Sequence, residues 1–186
     1  MKRHHGSSRQ PLVTILNEGA KTSAAAGLIR AAQRGDPLAI SELMEVLLPY
    51  VGRICGPIAL QDGPDATQEA MISIMRGVKT LREPEALFGW ARVIAVREAL
   101  RVARSSASSA GAPPDDLPAP GDPQLAADIR DTLSRLSPEH RAVLVLRDVA
   151  GLDEAQVSRI LAVPSGTIRS RLARARIRFR TAWTHD

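Results

Sequence analysis

A segment rich in serine, alanine, glycine, proline and aspartate, SSASSAGAPPDDLPAPGDPQ at 105–124, divides the sequence in two. Such a composition buries too little apolar surface to order itself, so we expect an extended linker. On both sides apolar residues recur every three or four positions, which predicts helices, and no strand-like alternation occurs. The sequence therefore predicts an all-α chain, with a flexible arm at 1–23 and helical domains at 24–104 and 125–183.

Helix boundaries in the first domain follow from capping and breaking residues. Asp36 before Pro37 predicts a helix start, and Gly56 with Pro57 predicts its end. Asp65, with Gln68 three residues later, predicts a capped second helix, which REPE at 82–85 separates from a third. The apolar positions that we expect to face inward are Leu38, Leu43, Val46, Leu47, Tyr50, Val51 and Ile54 in the first helix, Ala66, Ala70, Ile74 and Val78 in the second, and Leu87, Trp90, Ile94 and Leu100 in the third.

The second domain has the punctuation of a helix-turn-helix. Ser137 starts one helix and Gly151 ends it, and Asp153 with Gln156 caps a short helix. The tight turn LAVPSG follows, after which Ser165 caps a long final helix. A short helix, a brief turn and a longer helix are typical of DNA-binding modules.

Composition favours an anionic partner and offers no cofactor chemistry. The chain carries a net charge of +5, with 22 Arg against 3 Lys. The single cysteine, Cys55, lies in an apolar context and is interpreted as a buried, inert thiol. We expect no metal site, since the paired His4 and His5 have no further ligands nearby, and no cofactor or catalytic constellation. No apolar run approaches the length of a membrane span and no secretory signal is evident, so we expect a cytoplasmic protein without membrane insertion.

The final helix carries the strongest functional pattern. PSGTIRSRLARARIRFR at 164–180 holds six arginines and no acidic residue. On a helix, Ile168, Leu172, Ala175 and Phe179 share an inward face, whereas Thr167, Ser170, Arg171, Arg174 and Arg178 share the opposite face. Like charges without acids at four-residue spacing disfavour a purely structural surface helix. The pattern favours a recognition helix in the DNA major groove, with arginines near its C-terminal end on phosphates.

The segment LSPEHRAVLVLRDVAGLDEAQVSRILAVPSGTIRSRLARAR resembles region 4 of the sigma factors of bacterial RNA polymerase, particularly the extracytoplasmic-function (ECF) group. GPDATQEAMISIMRGVKTLREPEALFGWARVIAVREALRVAR is similar to sigma region 2, and the linker falls where that family joins its two domains. The resemblance implies that region 4 reads the −35 promoter element as duplex DNA. By motif and by helix face, the expected −35 contacts are Ser165, Thr167, Arg169, Ser170, Arg171, Arg174, Arg176 and Arg178.

For region 2, the resemblance implies two tasks. Asp65, Gln68 and Glu69 would dock on the clamp helices of the largest polymerase subunit, and the acidic, base-free stretch 60–70 suits a basic partner. The segment 81–104 would capture the −10 element, partly as an unstacked single strand. The expected −10 contacts are Arg82, Glu83, Trp90, Arg92, Arg97, Arg101 and Arg104, although Trp90 is interpreted first as a core residue. Further implied partners are the polymerase flap and an anti-sigma factor.

Two other functions remain open at this stage. The first alternative to a sigma factor is a stand-alone helix-turn-helix regulator that binds duplex DNA without polymerase. The second is a sigma-like decoy that binds polymerase but cannot melt DNA. The acidic and basic division of 60–104 argues against the first. The scarcity of aromatic residues in the melting segment, which offers only Phe88 and Trp90, keeps the second open.

Overall fold

The computed structural model describes residues 18–106 and 122–184, and side chains from Ala26 onward. The first described segment, the N-terminal half, contains four α-helices: α1 (Glu18–Gln33), α2 (Pro37–Ala59), α3 (Gly63–Gly77) and α4 (Leu87–Ser106). Short 3₁₀ turns at Leu60–Asp62, Val78–Thr80 and Pro84–Ala86 join α2 to α3 and α3 to α4. The second, the C-terminal half, contains α5 (Pro123–Ser134), α6 (Pro138–Leu144), α7 (Glu154–Leu161) and α8 (Ser165–Trp183), and a π-helical turn, Val145–Val149, extends α6.

The predicted all-α fold is confirmed, and no strand occurs in the two described segments. Helical structure reaches into the predicted linker from both sides, because α4 continues to Ser106 and α5 begins at Pro123. Residues 107–121 of the linker and residues 1–17 of the predicted arm lie outside the described residues, whereas α1 begins within the predicted arm. The domain boundaries therefore stay predictions.

Several predicted caps are confirmed. The Asp36 carboxylate accepts hydrogen bonds from the backbone N–H of Leu38 and Ala39, and the Ser137 hydroxyl accepts one from His140. Others are wrong. Helix α3 begins before Asp65, at Gly63, and Ser165 is the first residue of α8 rather than its cap, so neither side chain caps a helix.

The predicted end of the first helix is also wrong. Helix α2 continues through Pro49 and Pro57 to Ala59, because tertiary packing holds this helix together across both prolines. Leu38 and Val46 were expected to face inward, but they are 77% and 44% exposed. The other five positions of that stripe, Leu43, Leu47, Tyr50, Val51 and Ile54, are buried.

Helices α2, α3 and α4 pack against one another to form the centre of the N-terminal half. The stripe predicted for α3, Ala66, Ala70, Ile74 and Val78, is buried. Leu87 and Leu100 of α4 are buried as expected, while Trp90 and Ile94 are partly buried against the same core. The Gln33 side chain donates hydrogen bonds to the carbonyls of Val78 (3.0 Å) and Leu81 (2.7 Å), which fixes the connection between α3 and α4.

The stretch Pro37–Thr80 is long and apolar enough, by length and composition alone, to cross a membrane. Core helices of soluble proteins pass the same test. Nine residues of α2 are buried, and α1, α3 and α4 pack around the helix, which is the environment of a core helix.

The two halves are in contact. Helix α6 packs against α2 and α4, and the buried apolar residues of both halves form one connected cluster. The linker sequence left this arrangement open, and the structure places the helix-turn-helix directly against the N-terminal bundle.

Candidate nucleic-acid interface

The helix-turn-helix is built by local hydrogen bonds around α7. Asp153 and Gln156 form the predicted reciprocal capping box, with side-chain to backbone distances of 2.7 and 2.8 Å. After Leu161 the chain turns at Ala162, whose φ of 54° is left-handed. The Ser158 hydroxyl donates to the carbonyl of Val163 at 2.6 Å and closes the turn. The turn therefore sets the direction in which α8 leaves.

Helix α8 exposes most of its surface. Ile168, Leu172 and Ala175 are buried, which confirms three of the four predicted inward positions, and Phe179 is partly buried. Near the end of the helix Phe179 stacks on Trp183, with ring centroids 6.1 Å apart. Helix α8 packs against α5, α6 and α7. On its polar face Ser170, Arg174 and Arg178 are exposed, whereas Thr167 and Arg171 are partly buried.

Two arginines of α8 are held by acidic residues of the preceding elements. Arg169 makes a two-pronged ion pair with Glu154 at the start of α7, at 2.9 and 3.3 Å. The hydrogen bond from Arg169 is the main reason that the pKa of Glu154 lies below its usual value. Arg176 pairs in the same two-pronged way with Asp148 of the π-helical turn, its Nε 3.0 Å from the carboxylate.

Sequence reasoning missed both pairs, because their acidic residues lie 15 and 28 positions away along the chain. A search at four-residue spacing within the helix cannot find them. Only the packing of the three elements brings these acids to the flanks of α8.

In the described segments, no acidic residue forms an ion pair with the middle of the polar face. Among the described residues, the side chains of Arg171 and Arg178 make no hydrogen bond or ion pair. Arg174 donates to the carbonyl, at 3.2 Å, and to the hydroxyl, at 3.5 Å, of Ser170 in its own helix. Thr167 and Ser170 lie on the same side, and Ser165 is exposed at the N-terminal end of the helix. These groups form an arginine and hydroxyl surface that can accept phosphates and base edges.

The arginine face of α4 is differently occupied. Arg97, Arg101 and Arg104 are exposed, as expected. Arg101 pairs with Glu98 at 2.7 Å and with Glu69 of α3 at 3.6 Å. Arg104 pairs with Glu139 of α6 at 2.9 Å, across the contact between the two halves. Arg97 makes no ion pair with any described residue.

Arg92 does not lie on this face, which corrects its expected surface position. It is 6% exposed, its Nε donates to the Tyr50 hydroxyl at 3.0 Å, and that hydroxyl donates to the Phe88 carbonyl at 3.1 Å. Burial lowers the pKa of Arg92. The sequence pattern placed Arg92 among the surface arginines of α4, but its side chain lies inside the bundle between α2 and α4.

The remaining residues expected at the −10 element lie near the 3₁₀ turn before α4. Arg82 and Glu83 are exposed there. Trp90 is partly buried, and its ring lies against Gly77 of α3 so closely that a Cβ at Gly77 would be 2.8 Å from the ring. Trp90 thus packs between α3 and α4, as its interpretation as a core residue requires.

The expected polymerase-binding residues share a surface on α3. Asp65, Gln68 and Glu69 are all exposed in the first two turns of that helix. Glu69 is the member that contacts Arg101 of α4, so the acidic surface and the arginine face of α4 adjoin.

Cys55 is buried as predicted, and desolvation raises its pKa to about 12, which keeps the thiol protonated and unreactive. No group of three or more His, Cys, Asp or Glu side chains in the described parts of the chain could hold a metal ion. His140 is partly buried, and its Nδ1 lies 3.1 Å from the Ser137 hydroxyl.

Residues of the C-terminal half match the model of a known protein family. The family described as "Sigma-70, region 4" matches residues 126–179, which include α6, α7 and most of α8. The ECF RNA polymerase sigma factor SigM of Mycobacterium tuberculosis is 35% identical over 122 residues, a match covering 63% of this chain and 62% of SigM. The RNA polymerase sigma-H factor of Pseudomonas aeruginosa is 29% identical over 178 residues, covering 80% of this chain and 88% of that protein. The match thus spans less than two thirds of SigM but most of sigma-H.

Solved structures share the fold. CnrH in complex with the cytosolic domain of CnrY superimposes with a TM-score of 0.61 at 16% identity, covering 86% of this chain and 96% of CnrH. The sigma factor RpoE in complex with the anti-sigma factor NepR, from Bartonella quintana, gives a TM-score of 0.60 at 19% identity, covering 78% of this chain and 97% of RpoE.

Proposed function

We propose that this chain, which belongs to the ECF group of the sigma-70 family, is a transcription initiation factor that binds core RNA polymerase and directs it to specific promoters. The observation that carries the proposal is the open arginine and hydroxyl surface of α8, set by a capped turn and flanked by two acid-anchored arginines. A helix with an exposed cationic face and a narrow buried stripe fits the major groove.

Reading of the −35 element is proposed for the N-terminal turns of α8. Thr167, Ser170 and Arg171 would reach base edges, whereas Arg174 and Arg178 would hold phosphates. Arg169 and Arg176 are anchored by acids, and Ser165 lies at the helix N-terminus, where backbone N–H groups favour a phosphate oxygen. These three would position the helix rather than read sequence.

Capture of the −10 element is proposed for α4 and the turn before it. Arg97, Arg101 and Arg104 line one exposed face that can follow a phosphate backbone, and Arg82 and Glu83 flank the turn where an unstacked base would lie. Arg92 has no place in this set because it is buried, and Trp90 supports the set by fixing α4 against α3.

Docking on the polymerase is proposed for the acidic surface of α3, Asp65, Gln68 and Glu69, against the basic clamp helices of the largest subunit. Exposed carboxylates steer association with a basic partner. The proposal extends to the polymerase flap as the partner of the C-terminal half, to an anti-sigma factor that holds the protein inactive, and to action in the cytoplasm without membrane insertion. The RpoE–NepR complex supports an anti-sigma partner by analogy. The relatives are transcription factors, and no catalytic role is proposed.

The test is run-off transcription with purified core RNA polymerase on genomic fragments, with and without the protein. We expect new transcripts with defined starts that Arg171→Ala abolishes or weakens. Absence of transcripts, together with specific duplex binding without core enzyme, would instead identify a stand-alone regulator. Absence of transcripts with stable binding to core would identify a decoy.

A further inference from the structure

A cleft with a volume of about 410 Å³ lies where the two halves meet. Its walls come from the last turns of α4, the start of α6, the end of α7 with the turn that follows, and the polar face of α8. The charged and titratable residues that line it are Arg104, Glu139, His140, Arg171 and Arg174. Arginines proposed to bind the two promoter elements therefore face the same cleft.

Glu139 is the one acidic residue among the described residues that line this cleft. Its carboxylate accepts a hydrogen bond from Arg104 Nε at 2.9 Å, and it is attracted by Arg171. Burial raises the pKa of Glu139, but a backbone hydrogen bond and the charges of Arg104 and Arg171 outweigh burial and hold the pKa below its usual value. The carboxylate is thus ionised at neutral pH and placed between arginines of both halves.

We propose that Glu139 stands in for a DNA phosphate in the free protein. It occupies Arg104 of the N-terminal half and attracts Arg171 of the C-terminal half, so that DNA must displace it to use either arginine fully. A carboxylate and a phosphate make the same kind of charge-assisted hydrogen bond to guanidinium, and they compete for it. The inference rests on the proposed function, since it takes both arginines to be DNA contacts.

Arg141 holds the competing carboxylate in place. It is 6% exposed, and its Nε donates to the Ile58 carbonyl in the last turn of α2 at 2.8 Å. Its Nη1 donates to the carbonyls of Leu136, at 3.0 Å, and Leu133, at 3.5 Å, within its own half. The guanidinium also meets the negative end of the α2 dipole. This buried contact fixes the start of α6 against the N-terminal bundle and so brings Glu139 next to Arg104.

The competition is graded rather than absolute. The side chains of Arg104 and Glu139 are 59% and 30% exposed, and ion pairs of such exposure are weak. A DNA backbone offering several phosphates can displace one carboxylate. The expected consequence is a free protein with reduced affinity for DNA, and an increase in affinity when the carboxylate is removed.

The experiment measures binding of the full chain to a fluorescent oligo-dT of about twelve nucleotides at low salt by anisotropy, in a cycle with Arg104→Ala. Glu139→Gln should tighten binding about two- to five-fold in the wild-type background, the range that a weak ion pair allows. In the Arg104→Ala background most of that gain should be lost. Glu139→Asp, which keeps the charge, should give a smaller gain than Glu139→Gln.

Glu154→Gln is the matched control. Like Glu139, Glu154 lies in the first turn of its helix and forms an ion pair with an arginine, so its replacement by Gln changes the net charge and the charge near the helix N-terminus in the same way. It pairs with Arg169 only, within the C-terminal half, and its effect should be the same with or without Arg104.

Equal effects of Glu139→Gln in both Arg104 backgrounds, or effects identical to those of Glu154→Gln, would overturn the proposal. Thermal melting of each variant confirms folding. Run-off transcription with the wild-type chain tests the proposed function separately from the competition of Glu139 for Arg104. A wild-type chain that starts no transcript refutes the proposed function, whereas the binding cycle still decides whether Glu139 competes for Arg104.

Discussion

Helices α4 and α8 are nearly equal in length, and each carries a buried face and an arginine face, but they divide their surfaces differently. Nine residues of α4 are buried, including Arg92, whereas only Ile168, Leu172 and Ala175 are buried in α8. Helix α4 is a central element of its bundle that exposes one narrow strip. Helix α8 is buried along one narrow stripe and exposes most of its other residues.

The acidic neighbours differ as well. On α4, acidic residues pair with Arg101 and Arg104, while Arg97 pairs with no acidic residue in the described segments. On α8, acidic residues pair with the flanking Arg169 and Arg176, while Arg171, Arg174 and Arg178 form no ion pair within the part of the chain that the structure describes. The comparison teaches that the placement of acids in space, rather than the number of arginines along a helix, decides which arginines are free to meet DNA.

The two tryptophans test the difference in burial most strongly, because each helix carries one. Trp90→Ala should lower the free energy of unfolding by about 3 kcal/mol, since the ring fills the space over Gly77 between α3 and α4. Trp183→Ala should cost about 1 kcal/mol or less, since Trp183 is 41% exposed and loses only its stacking on Phe179. Urea unfolding followed by circular dichroism measures both.

A small loss of stability in Trp90→Ala, accompanied by a large loss of affinity for single-stranded DNA, would contradict the assignment of Trp90 to the core. That result would mean that the Trp90 ring stacks on DNA bases and that the DNA-binding surface of α4 includes Trp90.

The open centre of α8 gives the next largest effect. Arg171→Ala should weaken binding to a matched −35 duplex by about 1–3 kcal/mol if Arg171 contacts a base with two hydrogen bonds. Arg178→Ala, the comparison variant, should weaken matched and scrambled duplexes alike, as loss of a phosphate contact does. Fluorescence anisotropy on the two duplexes provides the discrimination ratio. An unchanged ratio in Arg171→Ala would remove this residue from the reading set.

The ion pairs on α4 predict smaller effects on DNA binding, and a larger effect for Arg97→Ala than for Arg101→Ala. Arg97→Ala should reduce the salt dependence of oligo-dT binding by about one unit of slope, because Arg97 has no described ion pair to give up. Arg101→Ala should reduce affinity less, because Arg101 must leave Glu98 and Glu69 before it meets a phosphate. Titrations at several salt concentrations measure both. A larger effect at Arg101 would show that its acids orient it toward DNA rather than occupy it.

Local sequence rules predicted what short-range interactions control. Asp36, Ser137 and the Asp153–Gln156 box cap helices as expected, and the period of α8 located three of its four inward residues. The same rules failed where tertiary packing overrides local preference. Pro57 does not end α2, because the buried face of that helix packs on its neighbours. The Arg92 guanidinium lies inside the bundle, where its Nε donates to the Tyr50 hydroxyl.

The sequence predicted which residues form the candidate site, but it did not predict which acidic residues pair with its arginines. The motif of α8 and the acidic surface of α3 can be read from the sequence. The partners Glu154, Asp148 and Glu139 cannot, because each acts across an interface between elements that are distant in the chain. The packing of α6 on α2 and α4 depends on Arg141 meeting a carbonyl 83 residues away, which no local pattern records.

The smallest effect concerns His140, which lies between the two arginine faces. Burial lowers its pKa below the ordinary 6.5, and so do the charges of Arg178, Arg174 and Arg171 of α8, while Glu139 opposes them. Between the folded-state pKa and 6.5 the unfolded chain binds more protons than the folded chain, so stability should fall as the pH drops below about 6.5. His140→Gln should flatten this dependence, measured by urea unfolding at about pH 7.5 and pH 5.5. The wild-type chain and the His140→Gln variant both contain His4, His5 and His185, so the difference between their pH dependences of stability is due to His140. An identical pH dependence would mean that the charges of Arg171, Arg174 and Arg178 are already screened where they face α6, although these three arginines form no ion pair with a described residue.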